Sequence, residues 1–98
     1  TVEINGDGSQ KRDFLFIDDL INAIYLSIIK FKNNNIFNVC SGVGTSLKKV
    51  VDLIGVKYNL NKKKLKEPKI VIGSNKKIVK FLKWRIKFDL TKGINKIT

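Results

Sequence analysis

The residues with the most chemical potential lie between Gly6 and Asp19. Gly6-Asp7-Gly8 is a glycine-bounded turn, an extended stretch carrying Arg12 follows it, and Asp18 marks a helix start. That order holds one guanidinium fork at a fixed place beside flexible backbone, which suits a diphosphate. The competing role for Arg12 is a surface pair with Asp13 or Asp18, worth about 0–1 kcal/mol. Asp13, Asp18 and Asp19 themselves suit turns and caps better than acid–base work.

Other chemistries are excluded by what the chain lacks. It has no histidine and one cysteine, Cys40, so a His-based triad is impossible and a zinc site is not expected. A single cysteine also rules out an internal disulfide framework and is compatible with a reducing cytoplasm. Cys40 follows Phe37-Asn38-Val39, a strand-like run, and reads as a buried, inert thiol.

These residues need a scaffold, and 98 of them make one domain at most. The apolar fraction of 43% is that of a globular chain. The chain starts at Thr1 and contains no methionine, the pattern expected of a fragment or processed piece. Its longest apolar stretch, Leu20 to Phe31, is broken by Asn22, Ser27 and Lys30, short of the roughly 20 residues that cross a membrane. Neither end resembles a secretory signal, so a cytoplasmic protein without a membrane partner is expected.

The net charge is +12, but only Arg12 and Arg85 are arginine. Base-reading forks and exposed aromatics interleaved with basic residues are both missing from the pattern. The lysine, isoleucine and asparagine bias is that of an A/T-rich genome. Nucleic acid is therefore not the expected partner, although a small basic module for nucleic acid or an anionic surface remains the rival reading. A non-functional remnant is a third.

Val2 to Ile4 alternates as a short strand, and Phe14 to Ile17 is extended. Asp18 then caps a helix whose Leu20, Ile21, Ile24, Tyr25, Ile28 and Ile29 share one face, expected to be core. Ile36 to Cys40 reads as a buried strand and Ser41-Gly42-Val43-Gly44 as a turn. Thr45 or Ser46 caps a helix with Leu47, Val50, Val51 and Ile54 on one side, closed by Gly55. Lys57 to Lys66 reads as an exposed loop or frayed helix, and Ile70 to Ile72 as a short strand. Ser74 caps a third helix burying Ile78, Phe81 and Leu82, and Lys76, Lys80 and Lys83 line a solvated stripe. Asp89 caps a last helix with Leu90, Ile94 and Ile97 inward, weakened by Gly93. The fold class is mixed α/β, three to four helices with two or three short strands. So few strands make an incomplete free-standing sheet, as in a piece whose strands pair with others.

The Gly6-to-Asp19 stretch resembles the G-D-G-x-Q-x-R-D-F-x-x-V-D-D segment of the extended short-chain dehydrogenase/reductases, the NAD-dependent nucleotide-sugar epimerases, dehydratases and ketoreductases. Phe37 to Gly42 with Thr45-Ser46-Leu47 is similar to that family's F-N-[IV]-x-S-G-x-x-T-S-L. Lys76-Lys77-Ile78 through Leu82 and Trp84 is similar to its S-K-A-x-x-x-L-G-W helix. Asp89-Leu90 to Gly93-Ile94 is similar to its closing S-L-x-x-G-I helix. The four stretches stand in register from Val2 to Ile97.

The resemblance implies that residues 1–98 are the C-terminal substrate-binding portion of such an enzyme, without its N-terminal Rossmann domain. That missing domain would hold NAD(P), and the chain alone would bind no cofactor. The substrate would be a nucleoside-diphosphate sugar, and the full enzyme a homodimer. Arg12 matches the arginine that grips the diphosphate, and Gln10 lies in the same substrate-facing stretch. Lys64 falls near the place of a second diphosphate arginine, but a lysine cannot form the bidentate fork. No catalytic residue is expected, because the family's Tyr-x-x-x-Lys pair lies upstream. Tyr58 and Lys62 match that spacing only in a polar, Lys/Asn-rich loop with no glycine fingerprint before it.

Overall fold

The computed structural model describes residues 1–30, 35–63 and 67–98. Strand β1 (Val2–Asn5) runs parallel to β4 (Tyr58–Asn61), with Val2 opposite Tyr58 and Asn5 opposite Asn61. Strand β2 (Lys11–Asp13) is the centre of a second sheet. It lies antiparallel to β3 (Gly44–Ser46) and parallel to β5 (Ile70–Val71). The described residues also form four helices: α1 (Ile17–Lys30), α2 (Leu47–Ile54), α3 (Lys76–Leu82) and α4 (Leu90–Ile97).

The mixed α/β class holds, but the described residues form five short strands, where two or three were expected. Strand β3 reads Gly-Thr-Ser, with no apolar alternation to betray it, and the brief Tyr-Asn-Leu-Asn alternation of β4 is set among lysines and asparagines that read as a loop. Backbone pairing with β2 and β1 makes them strands. Ile36–Cys40 has the opposite history: its side chains alternate as in a strand, yet it joins neither sheet. A strand pattern needs an edge to pair with.

Helix α1 starts one residue before its expected cap. The N–H groups of Asp19 and Leu20 donate to the Phe16 carbonyl at 3.1 and 3.2 Å, so Asp18 lies inside the first turn. There it complements the helix dipole. The core is built from Ala23, Ile78, Leu82 and Trp84, with Leu15, Leu26, Phe37, Val39 and Ile86 packed around it. It therefore uses the Asp19–Ala23–Leu26 side of α1. Ile21, Ile24, Tyr25, Ile28 and Ile29, expected to be core, are each more than half exposed. Small Ala23 allows α3 and Trp84 to approach, and Lys30 Nζ donates to the Leu82 carbonyl at 3.1 Å on that same side.

The remaining helix ends that the sequence marked follow it with one exception. Ser46 accepts from Lys49 N–H at 3.2 Å, Asp89 from Lys92 N–H at 2.8 Å, and Gly55 closes α2 at φ 84°. The cap position of α3 is Asn75 and not Ser74, and its side chain caps no N–H. Its Nδ2 instead donates to the carbonyls of Cys40 and Ser41 at 3.1 and 3.2 Å. Gly93 does not merely weaken α4: a Cβ there would stand 2.9 Å from Phe16 Cδ1, so its absence lets the Phe16 ring pack on the helix. Phe81 and Ile97, expected inward, are exposed.

Candidate functional site

The turn that opens the site depends on its glycines. Gly6 and Gly8 adopt φ 95° and 80°, a region costly for any residue with a Cβ. Asp7 Oδ1 closes the turn by accepting from the N–H and hydroxyl of Ser9 at 2.9 and 2.5 Å, and these bonds hold its carboxyl below the usual range. The turn is also pinned by α2. Lys48 N–H donates to the Gly8 carbonyl at 3.0 Å and Leu47 N–H to the Gln10 carbonyl at 3.1 Å. Two N–H groups that a helix start leaves unpaired thus fix the chain on both sides of Ser9.

Gln10 is fully buried and donates through Nε2 to the Asn5 carbonyl at 2.6 Å. Among the described residues no donor reaches its Oε1. Gln10 lines a cleft of about 320 Å³ with Asn5, Phe14, Leu47, Val50 and Glu67. Arg12 stands next to it, on the strand between Thr45 of β3 and Val71 of β5. Its guanidinium donates to the Lys11 carbonyl at 2.8 Å and the Lys69 carbonyl at 3.5 Å. It also pairs with Glu67 at 3.5 Å, the carboxylate being half exposed. The competing pair with Asp13 or Asp18 is not what forms. A half-exposed pair at this distance contributes about 0–1 kcal/mol, so an incoming phosphate can displace it.

Asp13 is the organising residue. Its Oδ1 accepts from the N–H and hydroxyl of Ser41 at 2.8 and 2.5 Å, and its Oδ2 from Gly42 and Gly73 N–H at 2.9 and 3.2 Å. One carboxylate thereby ties β2 to the Ser41–Gly42 turn and to the approach of α3. Partial burial opposes its ionisation most strongly, but the Ser41, Gly42 and Gly73 donors together outweigh that and hold the carboxyl below its ordinary value. Nearby Cys40 is half-buried, and burial first, then the Asp13 charge, push its thiol up. That disfavours a nucleophile.

The NAD dependent epimerase/dehydratase family profile matches residues 1–40, the stretch that holds the turn, Gln10, Arg12 and Asp13. Over 98% of this chain, the dTDP-4-dehydro-6-deoxyglucose reductase of Escherichia coli is 32% identical. The chain is similar in sequence to the NAD-dependent epimerases and dehydratases. The UDP-glucuronic acid 4-epimerase of Bacillus cereus, solved with UDP-glucuronic acid and NAD, superposes on 95% of this chain with a TM-score of 0.81 and 26% identity. The UDP-glucose 4-epimerase of Thermotoga maritima, solved with UDP-glucose, matches 95% with a TM-score of 0.81 and 27% identity. The chain spans about a third of the length of these relatives, 32% in each case.

Of the residues expected to touch substrate in an epimerase/dehydratase, the structure brings Gln10 and Arg12 together around Glu67 and the cleft. Lys64 lies outside the described residues. Tyr58 and Lys62 do not form a helical i, i+4 pair, because Tyr58–Asn61 is strand β4 and Lys62 follows it in a turn. Glu67, Asp13 and Asp19 were not legible as partners of Arg12, of two loops and of the C-terminal segment. The one available signal was a carboxylate in an extended stretch matched by a downstream Ser-Gly turn.

Proposed function

We propose that this chain is the nucleotide-sugar-binding portion of an NAD-dependent epimerase/dehydratase-type protein, and that its ligand is a nucleoside-diphosphate sugar. The observation that carries this reading is Arg12. A half-buried guanidinium is aimed by strand pairing and two carbonyls, and its loose partner Glu67 sits on the edge of a cleft. A diphosphate arriving there exchanges one half-exposed carboxylate for charged oxygens that match the fork. Gln10 Oε1, buried without a donor among the described residues, can accept from a ligand hydroxyl or N–H at the cleft. Lys64 supplies a point charge to the second phosphate. These residues position the sugar and do no chemistry on it, which is where effective-molarity gains arise.

NAD(P) does not fit the described residues. Both Gly-x-Gly turns, Gly6-Asp7-Gly8 and Gly42-Val43-Gly44, lead into strands and not directly into a helix, and Lys48 Cβ lies 3.1 Å from where a Cβ of Gly8 would be, so α2 packs directly on the first of them. The cofactor and the catalytic pair belong, in this reading, to a Rossmann portion outside these 98 residues, and the 98-residue chain alone is redox-inactive. The complete product is a cytoplasmic homodimer. No helix among the described residues is long and apolar enough to cross a membrane.

The test is the product in its own cells. An antibody against this segment should detect a protein roughly three times this size, which converts a nucleotide sugar in the presence of NAD(P). A product of 11.2 kDa with salt-sensitive affinity for any polyanion, and no dependence on Arg12, would support the basic-module reading instead.

A further inference from the structure

The net charge of this chain is carried by its second half. Residues 1–56 hold six lysines and arginines against six carboxylates, and residues 57–98 hold fourteen against two. A coding bias toward lysine would act on both halves. Isoleucine and asparagine, which share that bias, supply fourteen residues of the first half and ten of the second, about a quarter of each. The excess of lysine is therefore positional. Both carboxylates of the basic half are already committed, Glu67 to Arg12 and Asp89 to the Lys92 N–H at the start of α4.

Part of that charge forms one stripe. At 100° per residue, Lys76 and Lys80 of α3 and Lys83 at its C-terminal cap fall in an arc of about 60°, opposite buried Ile78 and Leu82. Beyond the helix, Lys83, Arg85 and Lys87 alternate with Trp84, Ile86 and Phe88. The cations are exposed, and the apolar residues are buried or half-buried. Neighbouring cations along the stripe have Cβ atoms about 5–7 Å apart. Among the described residues no carboxylate pairs with any of the five, so the stripe repels itself. Lys83 also adopts φ 57°, the one positive φ outside glycine among the described residues, where glycine would sit without strain. Charge thus stands where both repulsion and backbone conformation oppose it.

We propose that this stripe is a docking surface for an anionic lipid bilayer, holding the protein against the headgroups. Four of the five cations are lysine, a compact point charge that suits a diffuse layer of headgroups, whereas nucleic acid is read through arginine forks. A single strand also needs stacking faces, and Trp84, the indole within the stripe, is fully buried. Val79 and Phe81, 39% and 51% exposed, flank the lysine arc and offer apolar contact to the headgroup layer. Contact of this kind needs no spanning helix. None of the five cations lines the cleft beside Gln10 and Glu67, so the inference is independent of the nucleotide-sugar reading.

The test is co-sedimentation of the native product with vesicles of phosphatidylcholine alone, or of phosphatidylcholine and phosphatidylglycerol in equal parts. The protein should sediment with the mixed vesicles and not with the neutral ones, and added salt should release it. Each lysine removed from the stripe should weaken partitioning about five-fold, so Lys76→Gln with Lys80→Gln should lose roughly 25-fold. The charge-matched pair Lys48→Gln with Lys49→Gln, on α2, should lose less than about three-fold. Lys83→Gly should weaken partitioning about five-fold while its urea midpoint holds or rises, a combination that lost stability does not produce. Equal losses in the two pairs would overturn the proposal, as would the absence of any preference for the mixed vesicles. So would tighter binding to a single-stranded oligonucleotide than to those vesicles, weakened by the same stripe variants, since nucleic acid would then be the occupant.

Discussion

Asp19 and Trp84 are locked to each other across the fold. The indole Nε1 of Trp84 donates to the Asp19 carbonyl at 2.9 Å, and both residues are buried. The carboxylate of Asp19 turns the other way and accepts from Lys87 and Phe88 N–H at 3.0 Å each. One residue in the first turn of α1 therefore satisfies three donors from the segment between α3 and α4. That is why α1 buries this side and not its larger apolar one.

Asp19→Ala should cost about 2–4 kcal/mol, because it leaves two backbone donors without an acceptor. Asp19→Asn keeps one acceptor oxygen and should cost less. Trp84→Phe, which retains a ring but loses the bond, should cost about 1–2 kcal/mol. Urea midpoints at constant slope measure all three.

Gly93 and Gly55 should respond differently to alanine. At Gly93 the new Cβ meets Phe16 at 2.9 Å, so the ring must shift and stability should fall by about 1–3 kcal/mol. At Gly55 nothing lies within 4 Å, and only the strain of φ 84° remains, about 1 kcal/mol. A double variant should be additive in thermal or urea unfolding, since the sites share no partner.

Asp13 gives the fold a defined acid sensitivity. Its folded pKa lies below the ordinary 3.8, so its contribution is complete above that value and is lost as pH falls through the lower folded one. Asp13→Asn should lower stability at neutral pH and flatten the acid limb of the stability profile. An unchanged acid limb would show that the four donors do not favour the carboxylate.

The same carboxylate bears on Cys40. Burial and the Asp13 charge raise its pKa, so alkylation at pH 8 should be slower than for a free cysteine. Asp13→Asn should speed it, as followed by mass spectrometry.

Much of this was legible in the sequence, and the failures share a cause. Ser46, Gly55 and Asp89 were readable because a cap is decided within four residues. Strand β4 was hidden because the alternation of Tyr58 and Leu60 with two asparagines is short and sits in a Lys/Asn-rich stretch, and pairing with β1, more than fifty residues away, makes it a strand. The apolar side of α1 was correctly found as a face, yet periodicity says only that a face wants burial, not whether these 98 residues bury it. Arg12 could be singled out from its setting, whereas Glu67 could not, because that contact closes only when β5 aligns beside β2.

On the function proposed above, Arg12 grips a nucleoside diphosphate. The most direct test is calorimetric titration of the native product with UDP- and dTDP-linked sugars, for the unaltered protein, Arg12→Ala and Arg12→Lys. Losing charged hydrogen bonds worth about 1.5–3 kcal/mol should weaken the preferred nucleotide sugar by roughly 10- to 150-fold in Arg12→Ala. Arg12→Lys should recover only part of that loss, since an ammonium cannot form the fork. Equal affinity in all three proteins, or binding that tracks salt alone, would contradict the account.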